Sequence, residues 1–166
     1  MFLGSETIKK LIKEVNLISG YIDLDKQLQP NGFDLTVNSI YSLDSVGFIM
    51  KDAKILPSTT KIELNEEGNW NLPKGCYQIM FNETVNLGKN LAAISIQRST
   101  VMRSGCTVNV GSWDAGYCGR GINLLTVSNE LGFIIQKDAR IVQLHFTPVI
   151  GDNFSYNGNY QGENKK

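Results

Sequence analysis

The chain has 166 residues, with 16 Lys plus Arg and 16 Asp plus Glu. This length suits one domain with its own core, and the balanced charge argues against polymeric DNA or RNA as a partner. Its three cysteines lie far apart and fit neither a disulfide framework nor a zinc site, and no apolar run nears the ~18 residues of a membrane span. We therefore expect a single cytoplasmic domain over residues 1–151, followed by a tail and not inserted in a membrane.

One amphipathic helix is predicted near the start of the chain. Apolar residues recur there at helical spacing, at Ile8, Leu11, Ile12 and Val15. Such a stripe indicates a helix with one buried face. Ser5 is the candidate N-cap, and Gly20 is the candidate stop signal.

The rest of the chain is predicted to be mainly β, as a sandwich or barrel. Short runs of β-branched and aromatic residues are broken by Gly, Asn, Asp and Pro at intervals of about 8–12 residues. From Phe33 to Val37 apolar and polar residues alternate, which places Asp34 on the polar face of a strand. The other predicted strands are residues 47–50, 61–64, 77–81, 91–97, 133–136 and 140–146.

A candidate anion-binding segment follows the predicted strand at residues 91–97. Arg98, Ser99 and Thr100 are succeeded by a short helical run that stops at Gly105. Backbone N–H groups at a helix start, together with hydroxyls and a guanidinium, suit the separate oxygens of a phosphate chain. The pattern thus predicts a short phosphate-binding helix after Arg98, the alternative being an ordinary N-cap with a surface arginine.

A glycine-rich hairpin is predicted between residues 107–113 and 122–127. Its three glycines within residues 116–121 would let the backbone approach a planar ligand closely. Asp114 would supply a base and Tyr117 a stacking face. In the alternative reading the hairpin is purely structural, and Asp114 is present because aspartate favours turns.

The tail, residues 152–166, is polar and glycine-rich but carries three aromatic residues. Its composition predicts flexibility in isolation. The aromatics favour a flap that closes over a ligand at the active site, with a frayed terminus as the alternative.

Five separated segments, taken together, resemble the superfamily of dUTP pyrophosphatases (dUTPases) and dCTP deaminases. They are Gln29-Pro30 with Gly32-Phe33-Asp34-Leu35, Arg98-Ser99-Thr100 with Arg103 and Gly105, and residues 114–119, 140–144 and 156–162. Their order and spacing are most similar to archaeal and viral members with a deaminase-like frame. The resemblance implies a distorted jelly-roll β-barrel or sandwich, assembled as a homotrimer with active sites at the subunit interfaces.

The resemblance also implies roles for the catalytic and phosphate-binding residues. Asp114 would activate a water that attacks the α-phosphorus of dUTP, releasing dUMP and pyrophosphate. The residues that would hold the phosphates are Arg98, Ser99, Thr100, Gln143 and Gln161. Mg²⁺ would be held mainly by the triphosphate and water, with Asp34 near its shell or bracing the phosphate motif, as suits a hard cation that keeps its waters. Arg103 would support that motif.

Further residues would contact the nucleoside. Tyr117 would pack on the deoxyribose and leave no room for a 2′-hydroxyl, so a ribonucleotide should be refused. The other candidates are Asn109, Val110, Trp113 and Tyr160. Arg140 has the opposite strand parity to Gln143 and is expected to be structural. The single histidine, His145, is expected to be packed and not to act as a base.

One strand distinguishes hydrolysis of dUTP from deamination of dCTP. The deaminases carry a glutamate on the strand after the hairpin, which shuttles protons to the cytosine ring. Here that position falls on Leu124 or Thr126, depending on the alignment, and Glu130 lies in the following turn. This favours a dUTP diphosphatase. The alternatives are a dCTP deaminase, with or without dUTP hydrolysis, and a catalytically silent nucleotide-binding regulator.

Overall fold

The structure is a computed structural model that describes residues 1–109 and 111–165. In these ranges the helices are α1 Ser5–Val15, α2 Leu24–Gln27 and α3 Ser99–Arg103. The strands up to α3 are β1 Ile18–Ser19, β2 Leu28–Gln29, β3 Gly32–Leu43, β4 Phe48–Ile49, β5 Lys54–Ile55, β6 Thr59–Ile62, β7 Asn69–Leu72, β8 Gly75–Phe81, β9 Thr84–Asn86 and β10 Leu91–Gln97. Those after α3 are β11 Cys106–Val108, β12 Ser112–Trp113, β13 Cys118–Gly119, β14 Ile122–Val127, β15 Phe133–Gln136 and β16 Arg140–Pro148.

A curled antiparallel sheet forms the body of the molecule. Its strand order is β11-β14-β8-β3-β16-β10-β12, and β2 and β6 also pair with β3. The first part of β3 pairs with β16, whereas its second part, from Val37 onward, pairs with β8 with a register shift between Val37 and Ser39. A strand that changes partners at a bulge turns the corner between two packed layers. The predicted mainly β, distorted jelly-roll architecture is confirmed.

Buried aromatic and aliphatic side chains fill the space between the layers. Phe33, Leu35, Phe81 and Phe146 are all fully buried. The alternation predicted for Phe33 to Val37 is present, but both faces of β3 are covered, so that Asp34 is also buried, at 1% exposure. The polar face predicted for this strand therefore does not meet solvent.

The predicted N-terminal helix is present with different ends. Ser5 is already helical, and Gly4 occupies the cap position because its carbonyl accepts from the N–H of Ile8. The helix ends at Val15, where Asn16 takes a left-handed conformation (φ 55°) that asparagine tolerates well. Ser5 as N-cap and Gly20 as stop were therefore wrong. Ile8 and Ile12 form the buried face, as expected.

The predicted strands at 91–97 and 133–136 match β10 and β15. Residues 47–50 contribute only the two-residue β4, which pairs with β5 in an exposed ribbon. The strand predicted at 61–64 lies two residues earlier, since β6 pairs with the end of β3. No helix in the described ranges combines the length and apolar character that crossing a membrane requires.

Glu83 is a fully buried carboxylate that ties β3 to the segment around α2. It accepts hydrogen bonds from Gln27 Nε2 (2.7 Å), Thr36 N (3.0 Å) and Thr36 Oγ1 (2.6 Å). Burial raises the pKa of Glu83, while these donors act in the opposite direction. The network therefore depends on an acceptor at this position.

Replacing Glu83 by Ala should destabilise the fold by about 2–4 kcal/mol, because buried donors on Thr36 and Gln27 would lose their acceptor. Urea unfolding at fixed protein concentration measures this free energy. The exposed Glu66→Ala is the control and should change it by less than about 0.5 kcal/mol. Equal stabilities of the two variants would contradict this role of Glu83.

Candidate active site

The predicted hairpin is only partly formed. The site lies where the chain leaves the hairpin ladder. β11 pairs with β14, but β12 leaves that ladder and pairs with β10, with Trp113 opposite Ala93. The prediction of one strand over residues 107–113 was therefore wrong. A hydrogen bond also joins this segment to β10, because the N–H of Gly111 donates to Ser95 Oγ at 3.1 Å. Of the predicted nucleoside contacts, Val110 lies outside the described residues.

A cavity of about 360 Å³ opens beside β12, within the range of about 300–1,000 Å³ typical of small-molecule sites. We call it the aromatic cavity. It is lined by four residues predicted from the sequence, namely Asp114, Trp113, Tyr117 and Tyr160. It is also lined by Tyr156, and by Asn123 and Glu163, which sequence reasoning did not assign to the site.

Three aromatic rings form one wall of this cavity. Trp113 and Tyr117 meet edge to face at 5.4 Å between centroids, and Tyr156 meets Tyr117 at 5.9 Å. A Cβ at Gly121 would lie 2.4 Å from the Trp113 ring, so this glycine gives the indole its room. The glycines of this segment thus serve the packing of aromatic side chains as well as the turn at Gly116 (φ 87°).

Asp114 lies in the turn directly after β12, at the rim of the aromatic cavity. Its backbone carbonyl accepts from Tyr117 N at 3.0 Å, which closes the turn. Its carboxylate is exposed, and Ser112 Oγ donates to Oδ1 at 3.4 Å. The group is therefore open to water and adjacent to a space that can hold a ring.

The tail packs onto the turn that carries Asp114. Gln161 donates from Nε2 to Gly116 O and accepts at Oε1 from Cys118 N, both at 2.8 Å. Its amide thus serves as a clamp on the backbone of the same chain. The phosphate contact of Gln161 stays a prediction; in this structure its Nε2 and Oε1 both contact backbone atoms of the turn. Tyr160 is held by Lys54, whose Nζ lies 2.9 Å from its hydroxyl.

Glu163 joins the tail to the cavity wall. Tyr117 donates its hydroxyl proton to Glu163 Oε1 at 2.9 Å. Burial raises the pKa of both groups, and the contact with Glu163 raises that of Tyr117 further. The hydrogen bond from Tyr117 lowers the pKa of Glu163, but burial is the larger effect, so the net shift of the Glu163 pKa is upward.

The packing of the tail should depend on pH through Glu163. Because its folded pKa is raised, its stabilising contribution is complete below the unfolded value of about 4.3 and is lost as pH rises through the folded value. Hydrogen exchange of residues 155–164, corrected for intrinsic rates, should show greater protection at pH 4 than at pH 7. Glu163→Gln should remove this difference, and Glu130→Gln should retain it. A difference that survives in Glu163→Gln would contradict the assignment.

The predicted phosphate motif lies at the start of α3. Ser99 and Thr100 are exposed, and their N–H groups belong to the first turn, which has no intrahelical acceptors. Arg98 is held by Asp34, with Nε 3.3 Å from Oδ2, and donates from Nη1 to Arg140 O at 3.2 Å. Arg103 is exposed in the last turn and forms no ion pair with the residues that the structure describes.

Asp34 lies between two arginines, because Arg140 Nη1 also approaches its Oδ2 at 3.3 Å. The register of β16 shifts between Arg140 and Val142, which places Arg140 opposite Thr36 and Gln143 opposite Asp34. Both side chains therefore lie on one face of the sheet. The opposite parity inferred for Arg140 was wrong, since a bulge cannot be counted from sequence spacing. Two guanidinium groups beside Asp34 suit a bracing role better than a contact with a cation.

The phosphate motif and the aromatic cavity are far apart within one chain. Asp114 follows Trp113, which pairs with Ala93, whereas Arg98 follows the other end of β10. At about 3.3 Å per strand residue the two are separated by roughly 20 Å. Gln143 lies with the motif, and Asn109 is also outside the cavity lining, with its carbonyl accepting from Asn123 Nδ2 at 3.1 Å.

The strand after the hairpin, β14, carries no carboxylate in the sequence Ile-Asn-Leu-Leu-Thr-Val. Thr126 faces Cys76 on the neighbouring strand, at 3.8 Å between Oγ1 and Sγ. Glu130 is exposed in the next turn and forms an ion pair with Lys74. His145 is buried, with Nδ1 2.9 Å from Asn31 O and its ring against Phe2, as expected for a packed residue.

Comparisons with known proteins identify similar sequences and folds. The model of the dCTP deaminase-like family matches residues 2–149. The probable deoxyuridine 5′-triphosphate nucleotidohydrolase of Methanosarcina barkeri is 42% identical over 99% of this chain and 98% of its own length. Its namesake from Archaeoglobus fulgidus is 41% identical over 98% and 96%, respectively.

Two solved structures share the fold at low sequence identity. The 2′-deoxycytidine 5′-triphosphate deaminase from Agrobacterium tumefaciens superposes with a TM-score of 0.70 and 18% identity, covering 87% of this chain and 48% of that one. The native dUTPase of EIAV superposes with a TM-score of 0.52 and 15% identity, covering 90% and 98%.

Proposed function

This chain belongs to the dCTP deaminase-like family, and on that basis we propose that it is a dUTP diphosphatase, which hydrolyses dUTP to dUMP and pyrophosphate. The observation that carries the proposal is the position of Asp114 at the rim of an aromatic cavity beside a β14 that has no carboxylate. Relatives named as dUTP hydrolases match over nearly their whole length, which supports the same reaction here.

In this proposal the cavity holds the nucleoside and Asp114 acts at its rim. The carboxylate takes a proton from a water molecule, whose oxygen forms a bond to the α-phosphorus. The bond between that phosphorus and the bridging oxygen then breaks, and pyrophosphate leaves. The Ser112 hydroxyl, 3.4 Å from Asp114 Oδ1, helps to orient the carboxylate. One general base can contribute about 10²–10⁴-fold to such a reaction.

The wall of the cavity supports selectivity for deoxyribose. Tyr117 is buried and held on three sides by Trp113, Tyr156 and Glu163. A ring fixed by so many contacts cannot move away at low cost to admit a 2′-hydroxyl. We therefore propose that UTP is refused by shape.

We propose that each active site is shared between chains of a homotrimer. A separation of roughly 20 Å along β10 keeps Arg98, Ser99 and Gln143 from reaching a nucleotide in the aromatic cavity of the same chain. A neighbouring chain would supply them. The exposed Ile94 and Ile96 lie on β10 beside the phosphate motif and would be covered by such contact. In the assembled protein, residues 152–165 would act as the flap over the nucleoside.

The donor set suits a magnesium ion that enters with the substrate. Among the described residues there is no group of three His, Cys, Asp or Glu side chains placed to hold a metal. Asp34 is engaged by two guanidinium groups, although its Oδ1 has no hydrogen-bond partner among the residues that the structure describes. We propose that Mg²⁺ is bound mainly by the triphosphate and water, where it neutralises charge on the phosphates. Arg98 and the amides of Ser99 and Thr100 would bind the remaining phosphate oxygens.

A cytoplasmic location of the protein stays a prediction.

Deamination of dCTP is the second candidate because Glu163 places a carboxylate with a raised pKa in the cavity. For deamination, Glu163 would have to shuttle protons to the cytosine ring in place of the glutamate that β14 lacks. Its hydrogen bond to Tyr117 instead gives it a role in closing the tail. We therefore favour hydrolysis.

Product analysis separates these functions. The protein is incubated with Mg²⁺ and dUTP, dCTP or UTP, and pyrophosphate and ammonia are measured. We expect pyrophosphate from dUTP and at most about one hundredth of that rate from UTP. Ammonia from dCTP would establish a deaminase. Nucleotide binding without either product would establish a regulator and overturn the proposal.

A further inference from the structure

We propose that a second cavity of this chain, separate from the aromatic cavity, binds a small phosphate-bearing ligand through Arg120 and Lys165. This cavity, the asparagine cavity, has a volume of about 510 Å³. Four asparagines line it, at positions 16, 38, 82 and 86. The proposal concerns residues that take no part in the proposed hydrolysis.

The floor of the asparagine cavity is the polar face of a small sheet. β9 pairs with β1 on one side and β13 on the other, with Ser19 opposite Thr84 and Cys118 opposite Asn86. Residues that are paired across strands, or two apart along one, project from the same face. The opposite face carries Val85 into the core. The cavity therefore presents hydroxyl, amide and thiol groups side by side.

Arg120 gives this polar surface a fixed positive charge. Its side chain is 6% exposed and forms no ion pair with any described residue. Nε and Nη2 both donate to Phe81 O, at 3.1 and 2.9 Å, and Nη1 has a long contact of 3.5 Å with Asn164 O. Since a guanidinium has five N–H donors, some of them stay available to a ligand. Buried charges are normally paired, so a guanidinium whose described partners are all carbonyl groups favours an anion.

The surroundings reinforce this preference. Lys165 lines the same cavity, and none of its described lining residues is a carboxylate. The nearby Asp138 accepts from Asn82 Nδ2 at 2.8 Å and lies 3.2 Å from Lys137 Nζ, so its charge is already paired. Two cations with no carboxylate among the lining residues form a local positive potential in a chain with no net charge.

The number of polar groups indicates phosphate rather than a simple carboxylate. A guanidinium binds phosphate oxygens well, and the hydroxyls of Ser19 and Thr84 provide further donors for a tetrahedral anion. The cavity volume is also larger than a single carboxylate group would fill. Inorganic phosphate, pyrophosphate and a nucleoside monophosphate share this chemistry.

Binding there would also stabilise the closed tail. Arg120 N donates to Glu163 O at 3.0 Å, and Asn164 Nδ2 donates to Arg120 O at 2.9 Å. Lys165 follows directly. A ligand that engages Arg120 and Lys165 together therefore favours the tail position in which Glu163 lines the aromatic cavity. By linkage, closure of the tail favours the ligand to the same extent.

The test is an NMR titration of the full chain, observed at side-chain amides that line the cavity. Inorganic phosphate, pyrophosphate and dUMP are added separately at constant ionic strength, with chloride as the control. We expect at least one of the three to shift the amides of Asn38 and Asn86 and the Arg120 Nε–H saturably. The relative affinities of the three probes distinguish a site for an inorganic anion from a site for a nucleotide phosphate.

Three variants show whether the shifts report this site. Lys165→Glu reverses a charge at the cavity, and Thr84→Asp adds a carboxylate without changing Arg120. Each should weaken binding about fivefold or more, whereas Lys51→Glu on the exposed β4–β5 ribbon should leave it unchanged. The absence of saturable shifts at Asn38 and Asn86 would overturn the proposal. Equal affinity in Thr84→Asp, or shifts restricted to residues 98–103, would also overturn it.

Discussion

Replacing Asp114 by Asn is expected to lower kcat for dUTP by about 10²–10⁴-fold and to leave KM within about threefold. Asparagine keeps the shape of the side chain, and its amide oxygen can still accept from Ser112 Oγ, but it cannot take a proton from water. The exposed position of Asp114 means that the substitution leaves no buried group unpaired. Steady-state kinetics of pyrophosphate release measure both parameters.

The matched control for this variant is Asp152→Asn. Asp152 is exposed at the start of the tail and away from the cavity lining. The Asp152→Asn variant should retain the wild-type kcat. Wild-type turnover in Asp114→Asn would eliminate Asp114 as the base, and a large rise in KM alone would make it a binding residue.

Mixing two inactive variants should restore activity if each site is shared between chains. Arg98→Gln keeps Asp114, and Asp114→Asn keeps Arg98, so a site formed by one chain of each kind can be complete. In trimers assembled at random from equal amounts, about one quarter of the interface sites receive both intact residues. Activity of the co-expressed mixture should therefore rise from near zero to about one quarter of the wild-type value.

A second mixture provides the control. Wild-type chains combined with the double variant Arg98→Gln/Asp114→Asn should also retain about one quarter of the activity when sites are shared. Sites contained within single chains would instead give about one half in this control and none in the first mixture. That pair of results would contradict the shared site, while size-exclusion chromatography with light scattering checks that the mixtures are trimeric.

Local patterns in the sequence predicted much of the fold. The apolar stripe of α1 and the strands β10 and β15 follow from periodicity, because each buries one face within a continuous run. The ends of α1 could not be predicted from periodicity, since the cap at Gly4 depends on the hydrogen bond between Ser5 N and Pro30 O. That contact joins residues distant in sequence.

Long-range pairing also limited the prediction of the site. Asp114, Trp113, Tyr117 and Tyr160 were named from residue type and resemblance, and the structure places all four at one cavity. The exit of β12 to β10 and the bulge between Arg140 and Val142 could not be read from spacing, because both are set by the partner strand. Glu163 was not predicted as a site residue because only its contact with Tyr117, 46 positions away, places it at the cavity.

The most direct measurement follows the oxygen of the attacking water. dUTP is hydrolysed by the wild-type protein in water enriched in ¹⁸O, and both products are analysed by mass spectrometry. Attack at the α-phosphorus, with Asp114 as the base, predicts one ¹⁸O in dUMP and none in pyrophosphate. Label in pyrophosphate, or the release of ammonia from dCTP without hydrolysis of dUTP, would contradict the proposed reaction.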